Sequence, residues 1–343
     1  MTFFQTARAL AGCPTPQDDS IRHPGPTALR RWRAAVAKMR AGTGYRPRVV
    51  FIGNSKTVGA GAGATPPTGT NVFTDGAETQ SKVAQFARLL AETGIPASRQ
   101  SFFASSGLPN QAAKMSYDPR VAGLGNGWSG GSRTLGGIMW ATSGANPFSF
   151  APEGSCSRLE LISKRHVGGG TLGVTADADA VILTTVNGAP NGAATADLFA
   201  RTVVDVARCT HVFNFVRQSG GYVSVVGAIA QDISVLAVDV INGGTYGTVS
   251  SYHTGTQAWD SADALEILAP NLVFVELGTN DLRTGQDVVA TRSNILQIVA
   301  KARATGADVV LEIPSFGVVR GSDTTERRAL LKDAIVSLGT AQG

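Results

Sequence analysis

Three short segments contain residue types suited to acyl transfer. The first, Gly53-Asn54-Ser55-Lys56-Thr57-Val58-Gly59, follows an apolar run. A serine on a tight turn between strand and helix exposes its hydroxyl and aims its own N–H at a developing oxyanion, although serine after a strand is also an ordinary helix cap. The second, Val240-Ile241-Asn242-Gly243-Gly244-Thr245-Tyr246-Gly247, has glycines that let the backbone approach a ligand and offer an N–H, or that simply turn the chain. The third, Val275-Glu276-Leu277-Gly278-Thr279-Asn280-Asp281, sets an amide beside a carboxylate. Asn280 can donate its NH₂ to an oxyanion and Asp281 can brace neighbouring loops by accepting backbone hydrogen bonds; an Asx turn is the structural alternative.

These segments become one site only if the chain folds so that they meet, and open α/β sheets place sites at the carboxyl ends of their strands. Residues 48–53 read as a buried parallel strand, and 82–94, with Val83, Phe86, Leu89 and Leu90 on one face, as an amphipathic helix. The same rhythm returns later in strands at 235–241, 272–277 and 308–313 and helices at 258–268, 287–304 and 325–338. Alternation of this kind implies an α/β domain with a doubly wound, flavodoxin-like parallel sheet. Between the halves, short runs at 158–162, 181–186, 212–216 and 222–226 sit among glycine-rich turns and argue for an inserted antiparallel β-sandwich. An extended arm at 14–28 and a helix at 27–41, stopped by Gly42, Gly44 and Pro47, come first. The division is therefore 1–46 arm and helix, 47–104 first part of the α/β domain, 105–232 insertion, and 233–343 second part.

In order and placement, the three segments resemble the blocks of the SGNH/GDSL hydrolase superfamily: Gly-Asp-Ser, a glycine after the second strand, and Gly-x-Asn-Asp. The resemblance implies that Ser55 is the nucleophile and that the Ser55 N–H, Gly247 N–H and Asn280 side chain hold the oxyanion, with Asn54 and Asp281 in support. Asn54 stands where the family usually has Asp, which bears on loop bracing more than on chemistry. The family's last block, Asp-x-x-His, which supplies the base and its orienting acid, has no match. None of His23, His166, His211 and His253 has Asp three residues before it, so the catalytic His and Asp are not in the given chain. A truncated product, a degenerate hydrolase and a histidine from a partner all remain open. His253 is expected at the start of the next helix, facing solvent, and is not expected to serve as base; the other three are expected in surface or core roles.

The insertion resembles the carbohydrate-binding-like β-sandwich modules of some bacterial and phage SGNH esterases. This implies an acylated polysaccharide as partner and removal of its acetyl or other small acyl groups. A catalytically inactive glycan-binding or structural virion protein, such as a phage tail component, is the alternative, with the N-terminal arm contacting other virion proteins. Either reading implies an extracellular or virion-associated location.

Composition narrows the other classes. The chain has 343 residues, 41 of them glycine, and charged residues make up only 16%, which suits many short strands and tight turns. The net charge of +5 owes much to Arg30, Arg31, Arg33, Lys38, Arg40, Arg46 and Arg48, read as a solvated helix face; no nucleic-acid partner is expected. Cys13, Cys156 and Cys209 lack metal-ligand spacing, so no metal is expected, while Cys156 and Cys209 can pair in an oxidising compartment. Gly59, Gly61 and Gly63 run into Pro66 and Pro67 instead of a helix, and Lys56-Thr57 lacks the glycines of a phosphate loop, so no nucleotide or other cofactor is expected. No run is apolar enough to span a membrane, and the N-terminus is a poor secretion signal.

Overall fold

The computed structural model describes residues 28–60, 62, 77–103, 118–123, 127–178, 181–189, 198–254, 260–316 and 322–342. His23, Cys13, nearly all of the N-terminal arm and the Gly61–Gly63 pattern fall largely or wholly outside them. The α/β domain starts with helix α1 (Arg30–Arg40), strand β1 (Arg48–Gly53), the one-turn helix α2 (Ser55–Val58), α3 (Ala77–Gln80), α4 (Lys82–Glu92) and the short strand β2 (Ala97–Ser98). Next come β3 (Ser101–Phe103), β4 (Val121–Ala122), β5 (Ser129–Thr134), β6 (Gly137–Thr142), β7 (Phe148–Phe150) and β8 (Cys156–Arg165). They are followed by β9 (Thr171–Ala176), β10 (Thr184–Asn187), β11 (Leu198–Cys209), β12 (Phe213–Ser219) and β13 (Val223–Gln231). The α/β domain resumes with β14 (Val238–Gly244), α5 (Ala264–Leu268), β15 (Leu272–Glu276), α6 (Thr279–Arg283), α7 (Val288–Ala304), β16 (Asp308–Leu311) and α8 (Thr325–Gln342).

Strands β16, β15, β1, β14 and β2 pair in that order, all parallel. β1 is buried at every position because both faces of a central parallel strand are covered. Its side chains alternate accordingly. Val49 and Phe51 pack with Trp32, Val36 and Met39 of α1 and Phe86 and Leu90 of α4. Val50 and Ile52 join Leu265 and Leu268 of α5, Ile295 and Ile298 of α7, and Leu331 and Ile335 of α8. On the first face Phe51 stacks on Phe274 at 4.4 Å, with Phe86 edge-on to both.

The intervening strands form the antiparallel sandwich. One sheet runs β11-β8-β13-β6-β5, with β3 also paired to β13, and the other runs β10-β9-β12-β7-β4. Their facing residues, among them Phe102, Phe148, Phe150, Leu159, Leu161, Val174, Phe213 and Phe215, make a second core. β8 shows how the first sheet serves two cores: Leu159 and Leu161 face the sandwich interior, while Ile162 packs into the core of the α/β domain. The tip of the β5–β6 hairpin completes this seam. Leu135 is fully buried, Gly136 N donates to Gly243 O at 3.3 Å, and Ser261 Oγ donates to Thr134 O at 3.2 Å.

Several expectations shift. The strand expected at 235–241 is β14, three residues later, because Asp232 first turns the chain, its carboxylate accepting from Ser234 Oγ at 2.6 Å and its carbonyl from Val235 N at 3.1 Å. The strand expected at 181–186 meets β9 from Leu183, whose N donates to Val174 O at 2.8 Å, and is regular only from Thr184, leaving Val181 and Ile182 exposed. Of the helix expected at 258–268, residues 258 and 259 lie outside the described residues, and the described part is a single short helix from Ala264 to Leu268. β3, on the α/β side of a division at 104, already pairs within the sandwich.

Leu135→Ala should lower stability by about 2–5 kcal/mol, as a fully buried leucine loses its contacts and leaves a cavity where hairpin meets sheet. The midpoint of chemical denaturation measures this, and a shift no larger than that of an exposed leucine would show that the hairpin tip does not hold the seam.

Candidate active site

The three segments meet at the carboxyl edge of the parallel sheet. Gly53, the last residue of β1, is in register with Gly244 of β14 and Glu276 of β15. A Cβ on Gly53 would lie 2.0 Å from Thr57 Oγ1, and one on Gly244 would lie 2.6 Å from Val58 N, so α2 packs down on two glycines. Thr245 N donates to Gly53 O at 2.8 Å, and Asn242 Nδ2 donates to Val58 O at 3.2 Å. Ser55 is the first residue of α2 and is half-buried. Asn54 is buried and caps the turn, its Oδ1 accepting from Lys56 N at 3.1 Å. The Asn54 amide therefore performs the bracing by oxygen that an aspartate would perform.

Gly247 is exposed on the loop after β14 at φ 72°, a left-handed conformation that suits glycine. The next residue anchors the loop: Thr248 Oγ1 donates to Thr245 O at 2.9 Å, and Thr248 O accepts from Asn280 Nδ2 at 2.8 Å. That bond orients the Asn280 amide and uses one of its two N–H groups, leaving the other for a ligand. Asp281 is wholly buried and accepts from Ser250 N at 2.9 Å and from Ser250 Oγ at 2.5 Å. It thus ties the loop after β14 to α6, and Thr291 Oγ1 of α7 adds a 3.3 Å bond. Asn54 Nδ2, Thr245 Oγ1, Thr279 Oγ1 and His253 Nδ1 are buried on these loops without a protein partner. Such groups are uncommon in protein interiors and concentrate at sites that receive water or ligand.

His253 departs from its expected position. It ends a 3-10 turn (Ser250–Tyr252) and is fully buried, because Ala262 N closes the loop onto His253 O at 3.3 Å. Its Nε2 lies 3.1 Å from Thr248 Oγ1. Thr248 gives its own hydrogen to Thr245 O, so Nε2 is the donor and the ring is the neutral tautomer with a bare Nδ1. Burial, with a smaller contribution from the Arg133 charge, lowers its pKa to about 4. His253 therefore supports the threonine that orients Asn280. His166 bonds Val167 O and Tyr222 O, and His211 bonds Asp177 and Ala207 O, both in the sandwich. None of the three described histidines is bonded to Ser55.

One cluster beneath the Ser55 turn has no signature in the sequence. Thr57 Oγ1 donates to Glu276 Oε2 at 3.3 Å, and Lys82 Nζ of α4 bridges Glu276, at 2.5 Å, and Glu312. Burial alone would lower the Lys82 pKa, but the two carboxylates outweigh it and raise it; burial raises that of Glu312 despite the lysine. Glu276 lay within a segment singled out for other residues. Lys82 and Glu312 carry no local pattern, since only packing of α4 against the ends of β15 and β16 brings them together. Nearby, Lys56 Nζ donates to Ser315 Oγ at 3.0 Å, and its pKa is lowered chiefly by burial.

Two outcomes follow. A neutral buried imidazole contributes stability that is complete above its unfolded value of 6.5 and is lost as pH falls from 6.5 to about 4. That component, about 3 kcal/mol in all, should appear in the pH dependence of the melting temperature and be missing from His253→Gln. Lys82→Met should destabilise by about 1–3 kcal/mol and should do so more at pH 8 than at pH 5, where the uncompensated carboxylates can take up a proton. An equal loss at both pH values would mean that Lys82 acts by packing alone.

The model of the GDSL-like lipase/acylhydrolase family matches residues 191–343, which carry the second and third segments. No curated protein matches the chain in sequence. Among solved structures, a peptidoglycan O-acetylesterase is similar over 90% of this chain and 80% of its own, at 16% identity and a TM-score of 0.57. A two-domain esterase active on acetylated mannans matches 46% of this chain and 45% of its own, at 10% identity and a TM-score of 0.29. The C-terminal family 6 carbohydrate-binding module of LamC from Zobellia galactanivorans matches 31% of this chain and 90% of its own, at 19% identity and a TM-score of 0.26. Residues 191–343 thus match the GDSL-like lipase/acylhydrolase family, and the chain has the fold that the SGNH/GDSL resemblance implies, a parallel α/β sheet with an antiparallel sandwich inserted in it.

Proposed function

We propose that the protein is a serine esterase that removes acetyl groups from an acylated polysaccharide, with Ser55 as nucleophile. The observation that carries this reading is the placement of Ser55, Gly247 and Asn280 on the segments that follow the adjacent strands β1, β14 and β15 respectively. Ser55 Oγ attacks the acetyl carbonyl, and the carbonyl oxygen takes the negative charge. The Ser55 N–H, the Gly247 N–H and the free N–H of Asn280 are the donors for that oxyanion. Collapse expels the sugar hydroxyl and leaves an acetyl-enzyme, which water hydrolyses to acetate. A histidine in the family's Asp-x-x-His setting is the base for both steps, a role that no described histidine occupies. The sandwich packed along the sheet supports a polysaccharide substrate, as does the likeness in fold to a peptidoglycan O-acetylesterase.

A second reading, a glycan-binding scaffold without turnover, is favoured by one observation: all ring nitrogens of the described histidines are engaged away from Ser55 or buried without a partner. A virion-associated role for such a scaffold would run through the N-terminal arm.

Hydrolysis of p-nitrophenyl acetate, and acetate release from O-acetylated peptidoglycan, decide between them. The esterase reading expects both activities to vanish in Ser55→Ala and to fall about 10²- to 10³-fold in Asn280→Ala. Binding of the glycan with no Ser55-dependent release of acetate would establish the second reading.

A further inference from the structure

Cys156 and Cys209 stand directly opposite each other on the antiparallel strands β8 and β11, just beyond an irregularity in β11 that follows Asp205. Directly opposed residues of an antiparallel pair keep their Cα atoms about 4.5–5.5 Å apart, inside the range a disulfide spans. Both thiols are free in the structure, and they differ in setting: Cys156 is buried at the edge of the sandwich core, and Cys209 is exposed. Cys209 also has an imidazole beside its sulfur. Its Sγ lies 3.2 Å from His211 Nε2.

The His211 ring is held between two acceptors, Asp177 Oδ2 at 2.9 Å from Nδ1 and Ala207 O at 2.7 Å from Nε2. A ring with an acceptor at each nitrogen is satisfied best as the imidazolium, a cation placed against the sulfur. Asp177 is fixed in turn, its Oδ1 accepting from Val212 N at 2.9 Å, with a left-handed backbone at φ 60°. Burial opposes the charge on His211, but the Ala207 carbonyl and the Asp177 carboxylate prevail and raise its pKa. Cys156 has no such neighbour; burial, and then the proximity of Cys209, push its thiol up to about 11.

We propose that Cys156 and Cys209 are a redox-active cross-strand pair, in which Cys209 attacks a small-molecule disulfide and Cys156 resolves the product into a β8–β11 disulfide. Cys209 thiolate attacks one sulfur of oxidised glutathione, breaking its S–S bond; the departing thiolate takes up the proton that Cys209 gave up. Cys156 then loses its proton and attacks Cys209 Sγ, releasing the second glutathione as thiol. Two protein thiols are oxidised and one glutathione disulfide is reduced to two thiols. The closed bond ties the edge strand β11 to β8 at the end of the sandwich remote from the Leu198↔Arg165 pairing. This site is separate from Ser55 and does not depend on the esterase reading.

The test is to expose the folded full-length chain to oxidised glutathione, quench by alkylation and map the unreduced peptides. The expected result is a peptide pair linked through Cys156 and Cys209, with the melting temperature raised by a few degrees. In Cys156→Ser the mixed disulfide should accumulate at Cys209. Wild-type protein that keeps both thiols alkylatable, or that stops at a glutathione adduct on Cys209, would overturn the proposal without recourse to any variant.

Discussion

The candidate site rests on how closely a single helical turn lies against the sheet beneath it. α2 can place Ser55 at the edge of the sheet only because Gly53 and Gly244, paired across β1 and β14, carry no side chains where Thr57 and Val58 descend. The contact is reinforced by Thr245 N on Gly53 O, by Asn242 on Val58 O and by Thr57 on Glu276. The turn that carries Ser55 is thereby fixed from below by β14 and β15, the strands that precede Gly247 and Asn280. Donors for a developing charge act best when they need no rearrangement at the moment of reaction, and a turn pinned at several points meets that requirement.

Hydrogen bonds among the loops continue this logic outward. His253 supports Thr248, Thr248 supports Asn280, and Asp281 holds Ser250, so the loop after β14 and the helix after β15 cannot move independently. The neutral state of His253 belongs to this arrangement, because a protonated ring would bring a buried charge with no counter-ion bonded to it. His253, expected from the sequence to face solvent, is instead buried and acts on the orientation of the Asn280 amide through Thr248.

A second set of interactions decides where the sandwich stands. Arg48 of β1 is buried and pairs with Glu160 of β8 at 2.9 Å, while its other nitrogen donates to Leu268 O at 2.7 Å; Arg201 of β11 reaches the same glutamate at 2.7 Å. Asp239 of β14 gathers Arg46, Arg48 and Gln231. Buried ion pairs add little net stability, because desolvation offsets the attraction, but they penalise any docking that separates the partners. With Ile162, Val226 and Leu135 in a common core with the α/β domain, the sandwich has one orientation relative to the loops at the sheet edge.

The sequence alone determined the class of fold and the segments of interest, because both are local signals. Runs such as 48–53 and 272–277 declare buried strands by composition, and short motifs declare the turns that follow. Strand starts are less legible at 181–182 and 235–237, where apolar residues precede the point at which a partner strand is met, and pairing is not a local property. Tertiary structure alone decided the burial of His253, the Lys82 bridge between Glu276 and Glu312, the Arg48–Glu160 seam and the facing of Cys156 and Cys209. Each joins residues far apart in the chain through the register of a sheet or the packing of a helix. The energy of a charge or a polar atom is set by what surrounds it in space, and the order of residues along the chain does not contain that information in readable form.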